Sequence, residues 1–316
     1  MPVGAEVRQY EFVEGWPVLP EGWTLGQAAG VAVDTQDRVY VFHRGPHPVI
    51  VFDREGHYLA HWGDDFLKDA HGLYITRENG QDVIYLVDRA RHVVEKCTAD
   101  GRVVLRIGTP GQPGAPGQPF NRPTDVAVAP NGDIYVSDGY GNVRVHQFAA
   151  DGRLIRSWGE PGTGPGQFNL PHSVWVDTRG PAPLVYVADR ENHRIQVFDA
   201  NGKFITMWNN IHRPDGIALD REGHLYIGEL NGIEGVDDAP GLGHRVSVYS
   251  LQGQLQTRLG DPEEGEGPTQ FIAPHGVAVD SEGSLYVGDV AYTIRGRRMN
   301  PPRYLKCLRK FRRVRI

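Results

Sequence analysis

The chain has 316 residues, long enough for a large core, and its 40 glycines and 23 prolines break the apolar residues into short runs. No stretch approaches the roughly 18 consecutive apolar residues of a membrane span. Met1 to Phe12 lacks the apolar segment of a secretory signal, and two cysteines, Cys97 and Cys307, are too few for a disulfide framework. Free thiols in a reducing, cytoplasmic compartment are expected. The net charge is −6 although ten Lys/Arg and no acid lie between Arg295 and Arg315, so the rest is acidic and no nucleic-acid or membrane partner is expected.

Taken in order, the chain repeats one unit six times. First strands are predicted at Gly30-Val-Ala-Val, Gly72-Leu-Tyr-Ile, Asp125-Val-Ala-Val, Ser173-Val-Trp-Val, Gly216-Ile-Ala-Leu and Gly276-Val-Ala-Val, at offsets of 42, 53, 48, 43 and 60 residues. A second strand follows each, centred on Tyr40, Tyr85, Tyr135, Tyr186, Tyr226 or Tyr286, after turn residues such as Asn131-Gly-Asp or Ser281-Glu-Gly-Ser. Two further strands follow in most copies, as in Val197-Phe-Asp-Ala-Asn-Gly-Lys-Phe-Ile. Repeats of roughly 40–50 residues with four strands each predict an all-β, six-bladed β-propeller, one domain over residues 1–316. The last copy is short, so the segment around Tyr10-Glu-Phe-Val is expected to complete it, because closure removes exposed edges. The basic tail is read as a solvated outer strand.

The residue just before each first strand reads Ala29, His71, Thr124, His172, Asp215, His275. Histidine occupies alternate copies, and in a six-bladed ring alternate blades stand about 120° apart around the channel. His71, His172 and His275 should therefore converge on the axis. Three neutral imidazoles with an open position are the ligand set of catalytic zinc. Iron(II) or manganese(II) also suit such a set, which does not select strongly on affinity alone. A single such histidine would be read as a strand cap; three at one register point to metal. His47, His61, His92 and His224 lie off this register and are read as surface or packing residues.

A second register lies at the end of strand two, on the same face because antiparallel neighbours bring those ends together. It holds Arg44, Arg89 and Arg190, with Tyr140 one step further in the third copy. A guanidinium clamps a carboxylate through two parallel hydrogen bonds, and a phenol among arginines suits a base. The plainer alternative pairs these arginines with blade acids such as Asp88 or Asp189, a role as expected for Arg89 as any other. Asp125 and Asp215 offer a second acid–base group near the channel.

The string Pro165-Gly-Gln-Phe168 carries the signature of NHL repeats. Phe42-His-Arg-Gly45, Pro123-Thr-Asp-Val-Ala-Val128, Val136-Ser-Asp-Gly-Tyr140, Pro171-His-Ser173 and Ala188-Asp-Arg-Glu-Asn192 with Arg194-Ile-Gln196 together resemble the peptidyl-α-hydroxyglycine α-amidating lyases, from about Gly30 to Asp289. The resemblance implies a zinc on His71, His172 and His275, with Arg44, Tyr140 and Arg190 as the catalytic group. It implies cleavage of the C–N bond of an N-acyl- or N-carbamoyl-α-hydroxyglycine to an amide and glyoxylate, with no redox cofactor. Animal members carry cysteines where this chain has Gly141 and Val197. The family's calcium would fall at the Val31 and Leu73 carbonyls and an acid after the third histidine. That position is Gly276, so calcium is expected to be weak or absent.

A small α-hydroxy acid amide is thus the expected substrate, with no obligate protein partner. Loops 231–244 and 291–302 should rim the active face. Metal-dependent hydrolysis or hydration is the enzymatic alternative, and a metal-free NHL scaffold binding protein or RNA the non-enzymatic one.

Overall fold

Every predicted first strand forms, as Ala28–Val33, Ala70–Glu78, Asp125–Val128, Pro171–Asp177, Pro214–Leu219 and Pro274–Val279, in a computed structural model that describes residues 9–115, 118–233 and 242–314. The turn that ends several of them is chemical. Asp34, Asp220 and Asp280 each accept two backbone N–H bonds from the residues that follow, which folds the chain back onto strand two. The six strand-two tyrosines are all buried, at 0–1% exposure.

The strands assemble into six four-stranded antiparallel sheets, one per repeat, arranged as the blades of a β-propeller. First strands of neighbouring blades, including the first and sixth, lie side by side around the channel. Six apolar clusters fill the seams between adjacent blades, so each blade buries both faces against its neighbours. The clusters are built from alternating Val, Ile, Tyr and Phe, which suit pleated, two-sided burial.

Closure follows the expected route with one correction. Gln9–Phe12 pairs antiparallel with Leu308–Val314, which pairs with Leu285–Asp289. The basic tail is therefore the third strand of the sixth blade, and the N-terminal strand is the outermost one. Arg309 is fully buried, with its guanidinium beside Phe271 and 3.8 Å from Asp289. Lys310 reaches the Arg54 carbonyl at 2.6 Å. Arg309 thus serves the seam between the fifth and sixth blades and Lys310 the joint between the sixth and the first, rather than solvent.

Of the two predicted rim loops, residues 234–241 of the first lie outside the described residues. The second contains a single turn of α-helix, Ala291–Ile294. No helix among the described residues is long and apolar enough to cross a membrane.

Candidate metal and catalytic centre

An acid, or in one blade a histidine, at the end of strand two holds the loop that leads into each first strand. Asp88 accepts the Lys68 N–H at 2.8 Å, Asp138 that of Asn121 at 3.0 Å and Asp189 that of Asn169 at 2.7 Å. Glu229 accepts from His212, and Asp289 from Ile272 and Ala273, each at 2.9 Å. In the first blade His43 Nδ1 takes this part, accepting from Gly26 N–H at 3.1 Å. The device sets the height at which the next first strand enters the channel. It thereby places Ala29, His71, Thr124, His172, Asp215 and His275 in one ring around the axis.

The three histidines meet. Their donor atoms lie within 4.8 Å of one another, and their ring centroids are 4.7–4.9 Å apart. The Nδ1 atoms all face acceptors: Thr124 O at 2.6 Å from His71, Ala29 O at 2.7 Å from His275 and Asp215 Oδ1 at 2.5 Å from His172. Because those oxygens accept, each Nδ1 carries the proton and each Nε2 keeps its lone pair. Burial holds His275 down to about 3 and His71 well below the usual histidine range, with the neighbouring imidazoles adding to the effect. Three neutral imidazoles with Nε2 lone pairs turned inward are a donor set that fits a divalent ion.

Tyr140 closes the open side. Its phenol oxygen lies 3.3 Å from His71 Nε2, 3.2 Å from His172 Nε2 and 3.4 Å from Arg190 Nη1. Its backbone reaches this point because Gly139 packs directly on the strand that carries His172. A Cβ at Gly139 would stand 2.3 Å from Pro171 O. The guanidinium groups of Arg89 and Arg190 lie 5.3 and 5.6 Å from the Tyr140 ring centroid. Burial works against the charge of Arg190, but Tyr140, Asp215 and Glu191 more than offset it and raise its pKa above the ordinary value.

The alternative partners named for the strand-end arginines, Asp88 and Asp189, are not the ones they take. Asp189 binds Arg194 at 2.7 Å, leaving Arg190 to Glu191 at 2.8 Å and Asp215 at 3.5 Å. Arg89 pairs with Asp69 rather than Asp88, at 2.7 Å. Asp69 also reaches Arg44 at 3.2 Å, and Arg44 donates to the Ala70 carbonyl at 2.9 Å. Asp69 and Glu191 lie outside both registers; their only signal in the sequence is position, two residues before His71 and directly after Arg190. Glu191 also binds Arg213.

The calcium set does not fit. A Cβ on Gly276 would lie 2.7 Å from Ala29 O and 2.9 Å from Val31 N, so blade-one backbone occupies the space an acidic side chain would need. The nearby Asp125 carboxylate is engaged by the Ser173 hydroxyl, and burial pushes it up to about 7. Among the described residues two other groupings bring metal-ligating types together, His47–His61–Asp64 and Asp220–Glu222–His224. The first is partly exposed and internally paired through His47–Asp64, and in the second Asp220 is engaged by its turn.

Residues 120–148 and 168–198 match the NHL repeat model. The chain is 33% identical to the human protein named NHL repeat-containing protein 3, over 89% of this chain and 81% of that one. It is 31% identical to a probable peptidyl-alpha-hydroxyglycine alpha-amidating lyase of Caenorhabditis elegans, over 84% of this chain and 80% of that one. In fold it resembles a solved streptogramin B lyase at TM-score 0.63 and 14% identity, over 98% of this chain and all of the other.

Proposed function

Because the chain belongs to the family of NHL-repeat propellers that includes the peptidyl-α-hydroxyglycine α-amidating lyases, we propose that it is a metal-dependent carbon–nitrogen lyase. Its substrate would be a small N-acyl- or N-carbamoyl-α-hydroxyglycine, and its products an amide and glyoxylate. The observation that carries this reading is the arrangement of three inward Nε2 atoms, closed on one side by the Tyr140 phenol with Arg190 beside it.

His71, His172 and His275 would hold the ion, zinc first and iron(II) or manganese(II) as alternatives. When bound, it supplies Lewis acidity to the substrate hydroxyl. Tyr140 would take that hydroxyl proton; the C–N bond then breaks as the carbon–oxygen bond becomes the aldehyde of glyoxylate. The proton returns from Tyr140 to the departing nitrogen, which leaves as the neutral amide. Arg190 and Arg44 bind the carboxylate through planar forks that a lysine cannot reproduce. The balance needs no oxidant or reductant. Cys97 and Cys307 are buried, free thiols, pushed up to about 12 chiefly by burial, and take no part in the proposed chemistry.

The test is glyoxylate release from α-hydroxyhippurate and from ureidoglycolate by the zinc-loaded protein. Tyr140→Phe should lower turnover by roughly 10²-fold or more, the scale of a lost general base, with metal content unchanged. A metal-loaded protein that releases glyoxylate from neither compound would favour hydrolysis of another substrate. A protein that retains no metal would favour a binding scaffold.

A further inference from the structure

The three channel imidazoles are not held alike. His71 and His275 donate to backbone carbonyls, whereas His172 donates to a carboxylate oxygen, Asp215 Oδ1, at 2.5 Å. Asp215 is fully buried, and the same Oδ1 lies 3.5 Å from Arg190 Nη1. Arg190 Nη1 in turn reaches the Tyr140 phenol at 3.4 Å. The second oxygen, Asp215 Oδ2, has no hydrogen-bond partner among the described residues and stands 3.9 Å from His275 Nε2.

We propose that Asp215 is a positioning residue that couples the metal ligand His172 to Arg190, orienting the imidazole toward a bound divalent ion and the guanidinium toward Tyr140. The inference rests on the metal-dependent reading above. A carboxylate fixes the imidazole tautomer and raises its basicity as a ligand more than a carbonyl does. Asp215 Oδ1 accepts the His172 N–H and faces the Arg190 guanidinium, so one carboxylate oxygen serves both groups. Its bare Oδ2 adds negative potential beside the Nε2 lone pairs, where a cation gains most. Fifth-blade Asp215 thus acts on a fourth-blade ligand and a fourth-blade arginine at once.

Asp215→Asn keeps the side-chain shape and the acceptor oxygen and removes only the charge. On the full-length protein, zinc affinity by chelator competition should fall about 10–100-fold, the usual effect of losing an outer partner of a ligand. The visible spectrum of the cobalt(II)-substituted form should shift, and KM for α-hydroxyhippurate should rise. Tyr140→Phe, measured alongside, should keep wild-type zinc affinity. Unchanged zinc affinity and cobalt spectrum in Asp215→Asn would overturn the coupling while leaving the lyase reading standing. A wild-type protein that binds no zinc would instead remove both. Should Asp215→Asn not fold, proton NMR of the unsubstituted zinc form decides. The His172 imidazole N–H should resonate downfield of those of His71 and His275, and three equal shifts overturn the proposal.

Discussion

His43 shows how one buried side chain can serve both structure and site. Its Nδ1 accepts from Gly26 and its Nε2–H donates to the His47 carbonyl at 2.9 Å, so it must be neutral. Burial holds its pKa down to about 4, against an ordinary value of 6.5. A depressed folded value contributes stability that is present above about pH 6.5 and lost as pH falls toward 4, up to about 3 kcal/mol. Acid melting curves of wild type and His43→Gln should therefore differ in slope between pH 6.5 and 4. Parallel curves would show that His43 does not titrate on unfolding. The next residue is Arg44, so the same acidification should loosen the first-blade loop that carries it. Gly276 makes the opposite point, since a missing side chain decides chemistry. With blade-one backbone in the space of an acid, excess calcium should leave the melting temperature unchanged, while zinc should raise it. An upward shift with calcium would reveal another set of oxygen ligands.

At the scale of the element, the strand-two acid is the part that turns a repeat into a site. Asp189 is fully buried and accepts from Asn169 N–H, the Asn192 amide, Arg194 Nε and the Gln196 amide. These bonds fix both the approach to His172 and the exit toward Arg190. Removing the carboxylate strands a buried arginine, which typically costs about 3–5 kcal/mol. Asp189→Ala is thus expected to lower stability by about that much in denaturant melts, with activity falling further because His172 and Arg190 lose their common anchor. A loss below about 1 kcal/mol would mean that water or Arg194 rearrangement replaces the bonds.

For the whole molecule, the ring stands or falls with its closure. Phe12 packs edge-on against Phe311 at 5.9 Å, and Tyr10 shares a 2.7 Å hydrogen bond with Tyr226 of the neighbouring blade. Deleting residues 1–12 would leave Leu308–Val314 as an open edge beside a partly uncovered seam. The shortened protein should melt several degrees lower and form higher oligomers in gel filtration. A monomer with wild-type melting would show that the joint between first-strand neighbours suffices. Alternate-blade histidines meet only while all six blades keep their angular places, so metal affinity should fall when closure is lost.

Strand alternation, turn residues and a repeat of about 40–50 residues were legible in the sequence because each depends on local patterning along the chain. The same periodicity placed His71, His172 and His275 at one height, since equivalent positions in a ring share a radius and a level. Which charges pair was decided by tertiary structure alone. Asp69 sits between Arg44 and Arg89, Arg194 takes Asp189 from Arg190, and Asp215 joins His172. A register says where a Cα stands; the partner of a long, flexible side chain depends on which acid the next blade brings within reach. Whether the space beside Gly276 stays open was likewise set by backbone at the far end of the sequence, where Val31 and Ala29 approach to close the ring.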